Sequence, residues 1–143
     1  MTNNFVIPKA IFQQIQFDES LKQYGHEDTL FGIELKVRQI PILHLDNPLE
    51  HIGLEETEVF LAKTEQAIQN LAQLYKQGKA IETKLLSTYL ILKKYKLRNI
   101  FLFCYRIFEL PIKQNLRSLK PQLLYFDLYK LNQLTKYLTV YSY

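Results

Sequence analysis

The chain has 143 residues, of which 48% are hydrophobic, and it contains only four glycines and five prolines. This composition excludes an intrinsically disordered protein and predicts about one folded, helix-rich domain. A single cysteine, Cys104, excludes an internal disulfide and indicates a reducing compartment. The opening residues show no basic segment followed by an apolar one, so no secretory signal is expected.

The net charge of +4 is unevenly distributed along the chain. Residues 1–75 carry 5 Lys or Arg and 11 Asp or Glu, a net charge of −6. Residues 76–143 carry 13 Lys or Arg and 3 Asp or Glu, a net charge of +10. This division predicts two parts with different roles. The basic part also holds 8 of the 10 tyrosines, which makes it a candidate for contact with an anionic surface.

The first part of the chain alternates between strand-like and helix-like patterns. The stretch NFVIP predicts a short strand, and Pro8 favours the start of a helix over PKAIFQQI. Residues 27–39 place Leu30, Ile33 and Val37 at helical spacing with Leu35 beside them, and their acidic start and basic end suit the helix dipole. The apolar run IPILHL predicts a second strand, which the turn residues DNP end. These elements together predict an α/β fragment.

From Thr57 onward the apolar residues recur at helical spacing. The first of these helices is expected to be capped by Thr57 and Glu58 and to end near Gly78. A second helix is expected to carry one apolar stripe opposed by lysines. This stripe consists of Ile81, Leu85, Thr88, Leu92 and Tyr95.

The stretch LRNIFLFCYRIFELPI is apolar on most sides, and its helix is expected to end at Pro111. It contains Arg98, Arg106 and Glu109, and it is shorter than the roughly 20 apolar residues that a membrane span requires. Two interpretations remain open: a buried core helix, or an interfacial segment that lies on an anionic membrane leaflet. A last helix is predicted after Pro121.

One stretch of 28 residues, YGHEDTLFGIELKVRQIPILHLDNPLEH, contains two adjacent carboxylates and all three histidines. Glu27 and Asp28 stand at a helix start, where acidic residues are common for electrostatic reasons alone, although a carboxylate there can also accept a proton. His26 lies beside them. His44 in the apolar run is expected to be a core histidine, whereas His51 in a loop is freer to bind a metal. The histidine spacing matches no zinc signature.

Five elements of the sequence follow one another in a specific order. They are an NF-IP opening, FDE at residues 17–19, YG-ED at 24–28, FG-EL at 31–35 and H-DNP--H at 44–51. With this order and spacing, residues 4–75 resemble the C-terminal half of the catalytic domain of bacterial glycosyltransferase family 2. The basic helical part that follows resembles, less distinctly, the tail that such enzymes carry.

The resemblance implies the C-terminal half of a nucleotide-sugar-transferase α/β fold over residues 1–56, followed by a helical, basic, membrane-associating tail over residues 57–143. It implies transfer of a sugar from a nucleotide-sugar donor to a hydroxyl of a glycan or lipid-linked acceptor, with inversion. The expected process is bacterial surface polysaccharide or glycan synthesis. The expected location is cytoplasmic, on the inner face of the plasma membrane.

The resemblance also implies roles for individual residues. Asp28 would be the catalytic base, Glu27 would form a hydrogen bond with the acceptor, and His51 would bind a divalent cation, Mn²⁺ or Mg²⁺. A further group of residues would shape the acceptor pocket. These residues are Asp18, Glu19, Tyr24, Gly25 and His26.

The motifs that would bind the donor are missing from the sequence. There is no Asp-x-Asp motif and no glycine-rich phosphate loop. The chain is therefore expected to be truncated and inactive alone, and to need a donor-binding half in trans. The alternative is a non-catalytic module that binds an anionic membrane surface or a protein partner through its basic helices. Nucleic acid is not expected, because the lysines share faces with large aliphatic residues.

Overall fold

The computed structural model describes residues 4–17, 26–48, 50, 53, 55–79 and 82–140, and this part of the chain forms α-helices and no β-strand. The helices are α1 (Lys9–Gln14), α2 (Glu27–Val37), α3 (Thr57–Lys76), α4 (Lys84–Lys94), α5 (Arg98–Leu116) and α6 (Leu123–Val140). The predicted α/β fragment is therefore wrong, since the described residues make an all-helical fold.

The two predicted strands fail for the same physical reason. An apolar run becomes a strand only when a second segment supplies the partners for its main-chain hydrogen bonds. Residues 5–8 and 40–48 form no ladder with each other or with any other described segment. Ile42, Leu43 and Leu45 are 56%, 82% and 75% exposed, so the apolar run IPILHL lies on the surface.

Helices α3, α4 and α6 bury the largest core of the molecule. Apolar side chains from all three helices meet there, and each fully buried one contributes roughly 1.5–3 kcal/mol relative to its exposed state. The cluster contains Ile68, Leu71, Ala72, Leu74, Leu86, Tyr89, Leu131, Leu134 and Leu138. A second cluster joins α5 to α6 through Tyr105, Ile112, Leu116 and Tyr129. Helix α6 therefore packs against α3 and α4 as well as α5.

Polar contacts also join α3 to α6. The Tyr137 hydroxyl donates a hydrogen bond to Glu65 Oε1 at 2.8 Å and accepts one from Gln69 Nε2 at 2.6 Å. Lys76 Nζ donates to the main-chain oxygen of Tyr137 at 3.1 Å. Because directional bonds and apolar packing act at the same interface, they fix how α6 lies along α3.

Helix α5 continues through Pro111, so the predicted end at this proline is wrong. A proline in a helix interior removes one hydrogen bond, clashes with the preceding turn and costs about 3 kcal/mol. Ile112 and Leu116, beyond the proline, are 1% and 5% exposed. Their burial against α6 offsets the cost, and the pyrrolidine ring stays on the exposed side. No helix in the described residues is long and apolar enough to cross a membrane.

Two other local predictions also differ from the structure. In α4 the buried residues are Leu86 and Tyr89, whereas Thr88 of the predicted stripe is exposed. The residue before α3 is Glu56, which makes no side-chain capping bond, so the predicted cap does not form. Helix α4 is instead capped by Thr83, whose side chain accepts a hydrogen bond from Leu86 N at 3.1 Å.

A third cluster holds the N-terminal segment against α2. Its buried members are Ile15, Phe31 and Leu35, and Ile7, Ile11, Phe17 and Ile40 pack around them. Another face of α2 contacts the main core through Leu30 and Ile33. Helix α2 therefore lies between the N-terminal segment and the helical bundle, while the domain boundary between residues 56 and 57 stays a prediction.

Candidate functional site at the start of helix α2

A tight turn sets the start of α2. His26 precedes the helix with φ 71° and ψ −3°, in the left-handed region that costs a non-glycine residue roughly 1–2 kcal/mol. Its carbonyl oxygen accepts the hydrogen bond from Leu30 N at 2.9 Å, which closes the first turn. This turn places Glu27 and Asp28 side by side in the first turn of the helix.

The His26 side chain ties this turn to α3. The side chain is half-buried and forms a hydrogen bond with the backbone of Ala67. Desolvation lowers the pKa of His26, and this effect outweighs the nearby charges of Asp28 and Glu27, which raise it. The imidazole is therefore neutral at pH 7, and its role here is to hold the start of α2 on the bundle.

The two carboxylates differ in exposure. Asp28 is exposed, and its Oδ1 lies 3.5 Å from the Thr29 hydroxyl, at the outer limit of a hydrogen bond. Glu27 is half-buried. His26 offers no side-chain cap to the main-chain N–H groups of the first turn, so their positive electrostatic potential acts on the carboxylates. An exposed carboxylate in this position can accept a proton from a bound hydroxyl.

Aromatic rings hold the N-terminal segment beside these carboxylates. Phe31, on the next turn of α2, stacks on Phe17 with ring centroids 4.7 Å apart and an angle of 23° between the planes. Phe5 and Phe12 lie 6.0 Å and 6.3 Å from the Phe31 ring. Such pairs add about 0.5–1.5 kcal/mol each to the burial of the rings.

Members of all five sequence elements meet around α2. The NF-IP opening contacts the H-DNP--H element, since Asn4 Nδ2 donates to the main-chain oxygen of Asn47 at 3.2 Å. The same opening contacts the FG-EL element through the rings of Phe5 and Phe31. The second element contributes Phe17 to the stack on Phe31. The third element supplies the carboxylate pair on the same helix. Elements that are up to 43 residues apart in sequence therefore form one local structure.

Not every predicted site residue can be placed in this arrangement. His44 is exposed, so the expectation of a core histidine is wrong. The other predicted positions lie outside the described residues. They are Asp18, Glu19, Tyr24, Gly25 and His51.

The described residues do not fit a metal centre. Among them, no group of three His, Cys, Asp or Glu side chains is placed to hold a metal ion. His51, the predicted ligand, lies outside the described part of the chain.

Two features near the bundle were not predicted from the sequence. One is the contact between His26 and Ala67, which joins residues that are distant in the chain and leaves no local pattern. The other is a groove of about 400 Å³ between α3 and the ends of α5 and α6, lined by Phe60, Leu123 and Phe126. Apolar residues in the first turns of α3 and α6 could have indicated this groove. Its walls are mainly apolar and provide no pair of acid–base groups.

The candidate site is thus an exposed carboxylate on a helix start, fixed by a neutral histidine on one side and an aromatic cluster on the other. This arrangement can activate a hydroxyl group by accepting its proton. No protein-family model, curated protein or solved structure matches the chain.

Proposed function

We propose that this chain provides the acceptor-binding side of a glycosyltransferase of the family-2 type. The observation that carries the proposal is the contact of the first and second sequence elements with Phe31, one turn after Asp28 on α2. The fifth element is joined to the first through Asn4 and Asn47. The all-helical fold is not the α/β fold that the resemblance implied, so the proposal is argued from the residues of the site and not from the fold class. The resemblance supplies the reaction, and the geometry supplies a carboxylate that is accessible to an acceptor.

Asp28 acts as the general base of the transfer. Its carboxylate takes the proton from an acceptor hydroxyl while the hydroxyl oxygen attacks the anomeric carbon of the donor. The bond from that carbon to the diphosphate breaks on the opposite side, so the configuration is inverted. Glu27 accepts a hydrogen bond from a second hydroxyl of the acceptor, which orients the attacking oxygen.

The donor is bound by other protein residues. The sequence contains no Asp-x-Asp motif, so the nucleotide sugar and its Mn²⁺ or Mg²⁺ ion are held by a donor-binding half that acts in trans. The acceptor is a glycan or a lipid-linked glycan of surface polysaccharide synthesis. The proposed location is the cytoplasm, on the inner face of the plasma membrane.

Acceptor binding can be tested without a donor. We expect a panel of methyl glycosides at millimolar concentration to shift the backbone amide NMR signals of residues 27–31, since these residues surround the carboxylates. Asp28→Ala should weaken this binding, because the variant loses the hydrogen-bond acceptor. Asp127→Ala is the matched control, since Asp127 is also exposed but lies on α6, outside the five sequence elements. Shifts confined to other parts of the chain, or none with any glycoside, would contradict the proposal.

A further inference from the structure

Helix α5 presents a broad apolar face to solvent, which we term the outer face. Five large side chains on this face are between 59% and 67% exposed. They are Ile100, Phe103, Ile107, Phe108 and Leu110. The opposite side of the same helix is buried in the second core cluster. Contiguous exposed apolar surfaces of this kind mark interaction sites on folded proteins.

The outer face carries no acidic side chain. Glu109 is the only acidic residue of α5, and it is half-buried and paired with Lys113 at 2.6 Å. Arg106 is exposed at the edge of the face, one turn before Leu110. An anionic surface that approached the outer face would therefore meet apolar, neutral polar and cationic side chains and no carboxylate.

Three lysines stand at the N-terminal end of the outer face. Lys93, Lys94 and Lys96 are exposed, and none forms an ion pair with an acidic side chain in the described part of the chain. Lys93 and Lys94 end α4, and Lys96 adopts φ 58° in the turn that follows, where Leu97 N donates to Leu92 O at 2.9 Å. The backbone of this turn therefore places the three lysines directly before the first turn of α5.

We propose that the outer face of α5 docks on the surface of an anionic lipid bilayer. Its apolar side chains enter the boundary between headgroups and acyl chains, about 5–10 Å deep, while the lysines reach the anionic headgroups. The convex ridge of a single helix suits a planar, deformable surface. The helix lies on the bilayer and does not cross it, consistent with the lengths and hydropathy of the described helices.

The charges argue against a second copy of the chain as the occupant. Lys120 follows α5, so both ends of the outer face are basic. In a two-fold pairing along α5, the basic end of one copy would lie beside a basic end of the other. Like charges at such distances repel each other, whereas an anionic leaflet attracts every one of them. This inference does not depend on the proposed glycosyl transfer.

The experiment is co-sedimentation of the full chain with phosphatidylcholine vesicles, prepared with and without phosphatidylserine. We expect binding to the phosphatidylserine vesicles that weakens as salt is raised. Replacing Lys93, Lys94 and Lys96 with Gln should weaken binding on the order of 100-fold, since each cation contributes about fivefold. The matched control replaces three exposed lysines of α1, α2 and the start of α4 with Gln, namely Lys9, Lys36 and Lys84, and should change binding little.

The apolar side of the contact needs its own variants. Phe103→Ser with Ile107→Ser should weaken vesicle binding by at least about 100-fold, because both apolar groups leave the bilayer. Val37→Ser with Leu43→Ser is the control pair, since these residues are 75% and 82% exposed elsewhere. Circular dichroism should show the same helix content in all variants. Equal binding by the two pairs, no preference for phosphatidylserine, or a dimer that Phe103→Ser dissociates would each overturn the proposal.

Discussion

The Tyr105 hydroxyl group provides a direct test of how the α5–α6 interface is held together. The residue is 5% exposed, and its hydroxyl oxygen is buried without a hydrogen-bond partner among the described residues. A buried polar group without a partner costs about 1–3 kcal/mol. Tyr105→Phe removes this group and keeps the ring, so we expect the free energy of unfolding to rise by about 1–2 kcal/mol.

Tyr137→Phe is the matched variant, with the opposite expected sign. Its hydroxyl forms two hydrogen bonds, at 2.8 Å to Glu65 and 2.6 Å from Gln69. Removing it leaves both partners with one bond fewer, which should lower the free energy of unfolding by about 1–3 kcal/mol. Urea unfolding followed by circular dichroism measures both changes, and each kcal/mol corresponds to about 4 °C in Tm.

The pH dependence gives a second readout of Tyr105. Burial raises the pKa of Tyr105 from 10.0 to about 12, with smaller effects from Glu109 and Tyr129. Above pH 10 the unfolded chain therefore loses this proton first, and wild-type stability falls as the pH rises from 10 towards 12. Tyr105→Phe should remove that part of the alkaline loss. If Tyr105→Phe instead destabilises the protein as much as Tyr137→Phe does, the Tyr105 hydroxyl has a hydrogen-bond partner and the expected gain in stability is refuted.

Two further substitutions test the start of α2 and the middle of α5. The pKa of His26 lies below 6.5, so the unfolded chain binds the proton first and wild-type stability falls as the pH drops below 6.5. His26→Asn should reduce this slope by up to about 1.4 kcal/mol per pH unit in urea titrations, since asparagine tolerates the left-handed backbone and does not titrate. Pro111→Ala should raise the free energy of unfolding by about 2 kcal/mol, as the recovered helix energy exceeds the entropy gained by the unfolded chain. A lower stability would mean that the proline ring packs against a neighbour.

Several helix boundaries of the fold were predictable from the sequence. The start of α2 at Glu27, the break at Gly78 and a last helix soon after Pro121 agree with the structure. Each depends on residues within one or two turns, such as acidic groups at a helix start or a glycine with positive φ. The carboxylate pair of the candidate site was found for the same reason.

The remaining features depend on contacts between distant parts of the chain. The run IPILHL has the composition of a strand, but no described segment provides its hydrogen-bonding partner. Pro111 has the signature of a helix end, yet burial of Ile112 and Leu116 against α6 carries the helix past it. Two further tertiary contacts cannot be predicted from the pattern of a single segment. They are the contact of His26 with the backbone of Ala67 and the stacking of Phe17 on Phe31.

We propose Asp28 as the base on the acceptor side of a glycosyl-transfer site. The most direct measurement is the turnover of a nucleotide-sugar donor by the full chain mixed with a donor-binding half, for wild type and for Asp28→Asn. The variant keeps the shape of the side chain and loses its basicity, so turnover should fall by about 10²- to 10⁴-fold while donor binding is unchanged. Asp127→Asn, on α6 and outside the five sequence elements, should retain full turnover. Equal turnover by wild type and Asp28→Asn would contradict the account.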